Sequence, residues 1–240
     1  TTFTIGGGSG SPASGPLGSG SVVTAMDVRA INSVGTAPIS NVLSSSSLDV
    51  PPPVSNLALG TVTTTTIPLT WSSPPNDARA PLTGYEVRYT VNGVVLTAVV
   101  TGSASTGFTI GGGGGSPVSA PLSPGDVVTD IEVRGVNSVG TAPKSNEVST
   151  TTLKVPPAVT TLGVGTVTAT TVPLTWTAPA EDPRAPISGW EVRYTVNGVV
   201  HTAVVTGSAP TGFTIGGGAG SPFSGALPHG ATVTDIDVRA

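Results

Sequence analysis

Three runs of glycine are the residues whose spacing comes closest to a chemical motif. They lie at Gly6–Gly8, Gly111–Gly115 and Gly216–Gly218. Backbone N–H groups of a Gly-rich loop can cradle phosphate, but a Walker-type loop also needs Gly-Lys-Ser or Gly-Lys-Thr and a following helix. Here a Ser-Pro pair follows each run, and no helix is predicted. We therefore predict flexible or closely packed surface loops, in which glycine could approach a neighbouring backbone closely.

The histidines are His201 and His229, and neither is predicted to be catalytic. The chain repeats itself after 105 residues, and the matching positions one repeat earlier are Leu96 and Pro124. Since near-identical neighbours differ at these positions, we expect both histidines to lie on the surface. A Ser-His-Asp triad cannot be assembled in residues 50–154, which contain no histidine.

Acidic residues cluster on one predicted strand, where paired carboxylates could do acid–base work. Asp130 and Glu132 share its outward face, and Asp126 is close by. We expect a solvated strand face instead. It would carry a cross-strand charge ladder of Glu86, Arg88, Glu132 and Arg134. Exposed pairs of this kind contribute roughly 0.2–1 kcal/mol each, so their expected role is register and solubility.

Acidic and aromatic residues elsewhere also have structural interpretations. Asp77 and Arg79 stand two apart, as do Asp182 and Arg184, which favours an ion pair inside the loop. Calcium at a domain junction would need more oxygen ligands.

Trp71 and Trp176 could stack on sugars, but their alternation with residues such as Leu69 predicts core positions. We therefore assign no catalytic, cofactor-binding or metal-binding residue, and we expect a chain that is not an enzyme and has no cofactor.

The amino-acid composition excludes several classes of binding partner. The 240 residues include 9 Lys and Arg against 13 Asp and Glu, a net charge of −4, so no basic footprint for nucleic acid is predicted. There is no cysteine, which excludes disulfides and thiolate metal sites. No apolar run of about 18 residues occurs, so no membrane insertion is expected.

One stretch organises the rest of the chain. Gly84–Val95 reads GYEVRYTVNGVV, and Gly189–Val200 repeats it with a single change. Apolar and polar residues alternate up to Val91, as in a half-buried strand. Asn92-Gly93 then tolerates the positive φ angles of a type I′ turn, which predicts a β-hairpin in each repeat.

The whole chain follows this repeat of 105 residues. FTIGGG begins at Phe3, Phe108 and Phe213. Aligning residues 51–135 with 156–240 gives about 58 identities in 85 positions, which indicates tandem duplication. Three segments are predicted: 1–49 as the C-terminal part of one repeat, 50–154 as a complete repeat, and 155–240 as a repeat without its last strand.

The incomplete terminal repeats have two interpretations. The chain could be an interior stretch of a longer repeat array. Alternatively, the N-terminal segment of a neighbouring subunit could complete the open repeat by adding a strand.

The complete repeat contains seven predicted strands and no helical period. They are Val54–Leu59, Ile67–Trp71, the two arms of the hairpin Tyr85–Val100, Gly107–Ile110, Val127–Val136 and Ser145–Thr152. In the long sixth strand we expect Val127, Thr129, Ile131 and Val133 to share one face. Short strands at this spacing are typical of a β-sandwich.

The repeat resembles the fibronectin type III domain. The matching segments are Pro51–Pro53, Leu69–Trp71, Pro81–Tyr89, Leu122–Gly125 and Val133–Gly140. They recur in the second repeat as far as it extends, with Trp190 for Tyr85 and His229 for Pro124. The resemblance covers essentially the whole chain. It implies an all-β fold of tandem seven-stranded antiparallel β-sandwiches.

The chain departs from that family in three respects. The Gly-rich insertion before Leu122 is longer than the usual loop. The tyrosine expected shortly after the Pro-Gly is absent, because Val128 and Thr129 stand there. No Arg-Gly-Asp motif is present, so the family's cell-adhesion role is not carried over.

We expect a structural repeat protein that forms a rod, fibre or filament outside the cell, at the cell surface or on a virion. Self-association or contact between repeats is the expected partnership. The alternative is an accessory binding or spacer module of a secreted adhesin or glycan-degrading enzyme. Its ligand would contact positions where the repeats differ: Leu96 and His201, Val118 and Phe223, and Ser123-Pro124 and Pro228-His229.

Overall fold

The computed structural model describes residues 2–8, 10, 14–218, 220 and 225–240. Across these ranges the regular structure consists of β-strands, which confirms the predicted all-β class. The chain divides into two compact units, Thr1–Thr152 and Leu153–Ala240. The predicted boundaries at 49/50 and 154/155 stay a prediction.

The described residues form fifteen strands. In the first unit they are β1 (Val22–Met26), β2 (Leu43–Ser46), β3 (Ser55–Leu59), β4 (Ile67–Ser72), β5 (Gly84–Val91), β6 (Val94–Thr101), β7 (Gly107–Ile110), β8 (Val127–Val136) and β9 (Val148–Thr151). In the second unit they are β10 (Thr160–Val164), β11 (Val172–Thr177), β12 (Gly189–Val196), β13 (Val199–Thr206), β14 (Gly212–Ile215) and β15 (Val233–Arg239).

Strands β3 to β9 form the predicted seven-stranded sandwich. One sheet has the order β3-β4-β7 and the other β6-β5-β8-β9, and all neighbours are antiparallel. Apolar side chains from both sheets form one core. Its most buried members are Ile67, Leu69, Tyr85, Val87, Ile110, Val128, Ile131 and Val133. The second unit repeats the pattern as β10-β11-β14 and β13-β12-β15.

Both predicted hairpins are present. Strands β5 and β6 pair without interruption from Gly84↔Thr101 to Val91↔Val94. The turn residues Asn92 and Gly93 have φ angles of 48° and 85°, as a type I′ turn requires. Asn197 and Gly198 repeat those angles at 48° and 85° in the second unit.

The predicted face of β8 is wrong in its first half. Asp130 has a φ of 52°, and the register with β9 shifts between Val128 and Ile131. This bulge inserts one extra residue, so the alternation changes face. Val128 is consequently buried with Ile131, whereas Val127 is 47% exposed instead of lying in the core.

The N-terminal strands β1 and β2 form a two-stranded sheet. They correspond in sequence to β8 and β9, yet their inner face is uncovered. Val28 is 78% exposed, whereas its equivalent Val133 is fully buried. The same apolar residue is thus core or surface according to whether a second sheet covers it.

Candidate functional site

The Gly-rich segment Gly111–Pro121 is closely packed on its own domain. Gly111 has a φ of 80°, and a Cβ at this position would lie 2.2 Å from the carbonyl oxygen of Thr65. The N–H groups of Gly111, Gly112 and Gly113 donate to Ser119 Oγ, Thr109 O and Ser119 O at 2.7, 3.0 and 3.0 Å. Three consecutive donors are thus satisfied internally, so they are not presented to a phosphate.

Ser119 anchors this segment, and sequence reasoning did not identify it. It is 4% exposed. Its hydroxyl accepts the Gly111 N–H and lies 3.2 Å from the hydroxyl of Tyr89. A serine inside a Gly/Ser/Pro stretch carries no periodic signal, so its burial could not be deduced from the pattern.

The same segment also covers part of the edge of strand β6. This strand is the outer member of its sheet. The N–H of Val99 donates to Ser116 O at 2.9 Å, and the N–H of Ser116 donates to Val99 O at 3.0 Å. Since the backbone groups of Val99 point away from β5, those of Val95 and Thr97 do so too. Within the described residues, Val95 and Thr97 have no partner on that side.

The acidic face of β8 is solvated at Asp130, as the sequence predicts, but not at Glu132. Glu132 is only 5% exposed, because it lies against Arg134, whose Nη2 is 2.7 Å from Glu132 Oε1. Glu86 does stand opposite Arg134, and Arg88 opposite Glu132, so the ladder's register is confirmed. The short ion pair runs along the strand instead of across it.

The Asp–Arg loop pairs are present as predicted. Arg79 Nη2 lies 2.7 Å from Asp77 Oδ2, and Arg184 Nη2 lies 2.8 Å from Asp182 Oδ2. Hydrogen bonds from the arginine side chain and backbone lower the pKa of Asp77, and the same cause lowers the pKa of Asp182. Arg79 also donates to the carbonyl of Ser46 at 3.0 Å, so its loop is hydrogen-bonded to the end of strand β2.

The tryptophans and histidines lie where the sequence predicts them. Trp71 and Trp176 are each 5% exposed. The rings of Trp71 and Tyr85 pack edge to face, with their centroids 5.2 Å apart. His201 and His229 are exposed. Among the positions that differ between repeats, Val118 is 67% exposed and Phe223 lies outside the described residues.

In the part of the chain that the structure describes, no group of three or more His, Cys, Asp or Glu side chains is arranged to hold a metal ion. In the same ranges, no helix has the length and apolarity needed to cross a bilayer.

Comparison with known proteins identifies a domain type. Residues 51–124 match the family model of the fibronectin type III domain. No curated protein matches the chain.

Three of the similar solved structures illustrate the likeness to known folds. The FN1–FN3 domains of chicken CNTN1 are 16% identical over 88% of this chain and 70% of that one, with a TM-score of 0.36. A two-domain fibronectin type III segment of chicken tenascin is 17% identical over 77% and 89%, with a TM-score of 0.31. A myokine structure is 12% identical over 43% and 99%, with a TM-score of 0.35. Because these TM-scores are below 0.5, the family match over residues 51–124 is the more informative comparison.

Proposed function

Residues 51–124 belong to the fibronectin type III family, and from this premise we propose that the chain is a non-enzymatic structural protein. Its tandem sandwiches act as a rod, fibre or filament segment, outside the cell, at its surface or on a virion. Pro-rich stretches such as Pro51–Pro53 join the repeats and restrict their hinges.

The observation that carries this proposal is the repetition of scaffold without repetition of reactive groups. Both hairpins keep the same eight-residue pairing and the same turn angles. The Asp–Arg loop pair likewise recurs in each unit. The histidines, by contrast, occur only in the second repeat. Near-identical neighbours suit spacing or polymerising, because each repeat presents the same surface to the next.

Electron microscopy of the native assembly tests this function. A continuous thin filament, stalk or fibre with a spacing of one domain is the expected result. Isolated domains attached to a larger globular body would instead support an accessory module.

The accessory binding module is the second candidate, and one observation favours it. The repeats differ at exposed positions, with Leu96 41% exposed where the next repeat has His201. Val118 is also exposed, at the tip of the Gly-rich segment. Binding of the chain to immobilised cell-surface glycans, lost on Val118→Asp, would support this candidate.

A further inference from the structure

Strand β6 is an edge strand without the usual protection against pairing. Natural edge strands carry charged residues, prolines or bulges that prevent another strand from adding. Val94–Thr101 contains no charged residue and no proline, and it pairs with β5 without a bulge. Val94, Val95 and Leu96 are 61%, 53% and 41% exposed.

The free part of this edge has a defined length. The backbone groups of Val95 and Thr97 point outward, whereas the next outward position, Val99, is already bonded to Ser116. A strand that adds to β6 can therefore pair opposite Val95 and Thr97 but must end before Val99. We call the backbone of Val95 and Thr97 the edge window.

We propose that the edge window binds the same edge of a second copy of this chain, antiparallel and centred on Val95. In this arrangement the two Val95 residues exchange their N–H and C=O groups. Thr97 then faces Gly93 of the second copy, and Val94 faces its Leu96. The second copy's strand ends at its own Asn92-Gly93 turn, just where Ser116 closes the edge.

The match of lengths is what selects a second copy as the partner. A longer strand would collide with Ser116, whereas β6 begins directly after a two-residue turn and fits the space. The pairing is also self-complementary, because each partner covers the other's Val94 and Leu96. No charge on β6 opposes it.

The second repeat presents an equivalent strand edge. Strand β13 is again the outer member of its sheet, and Val199 and Val200 are 60% and 54% exposed. Two such edges on one chain allow association to continue beyond a dimer. The contact does not depend on the proposed rod role, because a rod-shaped monomer would fulfil that role without it.

Analytical ultracentrifugation over a concentration series tests the contact. Wild-type protein is expected to associate reversibly, and Val95→Lys combined with Val200→Lys is expected to weaken association by about tenfold or more, since charge opposes edge pairing. Val34→Lys combined with Val167→Lys is the matched control, because it adds the same two charges, one in each unit, at valines that are 93% and 56% exposed and lie outside β6 and β13. A monomeric wild type, or equal weakening by the control, would overturn the proposal.

Cysteine cross-linking tests the pairing register between the two β6 strands, since the chain has no cysteine of its own. In the proposed pairing the two Val95 Cα atoms are about 5.5 Å apart, within the range of a disulfide. The two Thr97 Cα atoms are about 13 Å apart, which is too far. Val95→Cys should therefore form a disulfide-linked dimer under mild oxidation, and Thr97→Cys should not. Faster cross-linking through Thr97→Cys would rule out this register.

Discussion

Gly111 shows how a single missing methyl group fixes a loop. Its φ is 80°, and a Cβ added to it would come within 2.2 Å of Thr65 O, which leaves no room for any side chain. Gly113 has a similar φ of 77°, but a Cβ added there would meet nothing within 4 Å. Comparing alanine substitutions at Gly111 and Gly113 therefore distinguishes the cost of backbone strain from the cost of a steric clash.

We predict that Gly111→Ala lowers the free energy of unfolding by about 3 kcal/mol or more, because strain and collision add. Gly113→Ala should cost only about 1–2 kcal/mol, from the left-handed backbone alone. Hydrogen exchange followed by mass spectrometry would measure each change within the first unit. Equal costs for the two variants would show that the contact with Thr65 does not matter.

Ser119 offers a second prediction. Ser119→Ala leaves the buried N–H of Gly111 without its acceptor, so we expect a loss of about 1–3 kcal/mol in unfolding free energy. Ser103→Ala removes an exposed hydroxyl and is the control, expected to change little. Urea denaturation compares the two. An unchanged midpoint for Ser119→Ala would mean that the hydroxyl does not anchor the Gly-rich segment.

Residue types predict contacts between sequence neighbours, but not contacts between residues that the fold brings together. The Asp–Arg loop pairs were predictable because their partners are two residues apart in sequence. The burial of Glu132 was not, because it depends on side chains that neighbouring strands bring to it. The contact between Ser119 and Tyr89 likewise joins residues 30 positions apart.

At the scale of elements, the hairpins were the most predictable part of the fold. Alternation and an Asn-Gly turn act within a dozen residues and fix both strands and register. The bulge at Asp130 carries no such local signal, and it reversed the expected face of Val127 and Val128. The Gly-rich segment was predicted as a surface loop, but its two bonds to Val99 depend on the finished sheet.

A hydrogen-bonded carboxylate, Asp126, lies at the junction between the β5–β6 turn and strand β8. Asp126 accepts hydrogen bonds from the Ser123 N–H at 2.7 Å and from Asn92 Nδ2 at 2.8 Å. These bonds lower the pKa of Asp126 below its ordinary 3.8, with the Ser123 N–H as the larger cause. A lowered native pKa means that the contribution is present above the unfolded-state pKa and is lost as pH falls through the native value.

We therefore predict that the melting temperature falls as pH drops below about 4. The lowered pKa values of Asp77 and Asp182 act in the same direction. Asp126→Asn should reduce this pH dependence, because the amide does not titrate. Thermal melts between neutral and acidic pH measure it. An identical acid dependence in the variant would show that Asp126 contributes nothing to it.

At the scale of the whole molecule, the repeat of 105 residues predicted the duplicated sandwich. Seven strands and the core tryptophans follow from patterns within one repeat. Whether another sheet covers a given repeat cannot be predicted from the sequence of that repeat. Val28 and Val133 are the same residue at the same repeat position, and only the second is buried.

We propose that the tandem repeats form an extended rod, and small-angle X-ray scattering tests this proposal most directly. A compact fold of 240 residues has a radius of gyration of about 18 Å. The Val95→Lys, Val200→Lys variant at low concentration keeps self-association from contributing. We predict a radius clearly larger than the compact value, with a long tail in the pair-distance distribution. A radius of about 18 Å with a symmetric distribution would contradict the proposed rod.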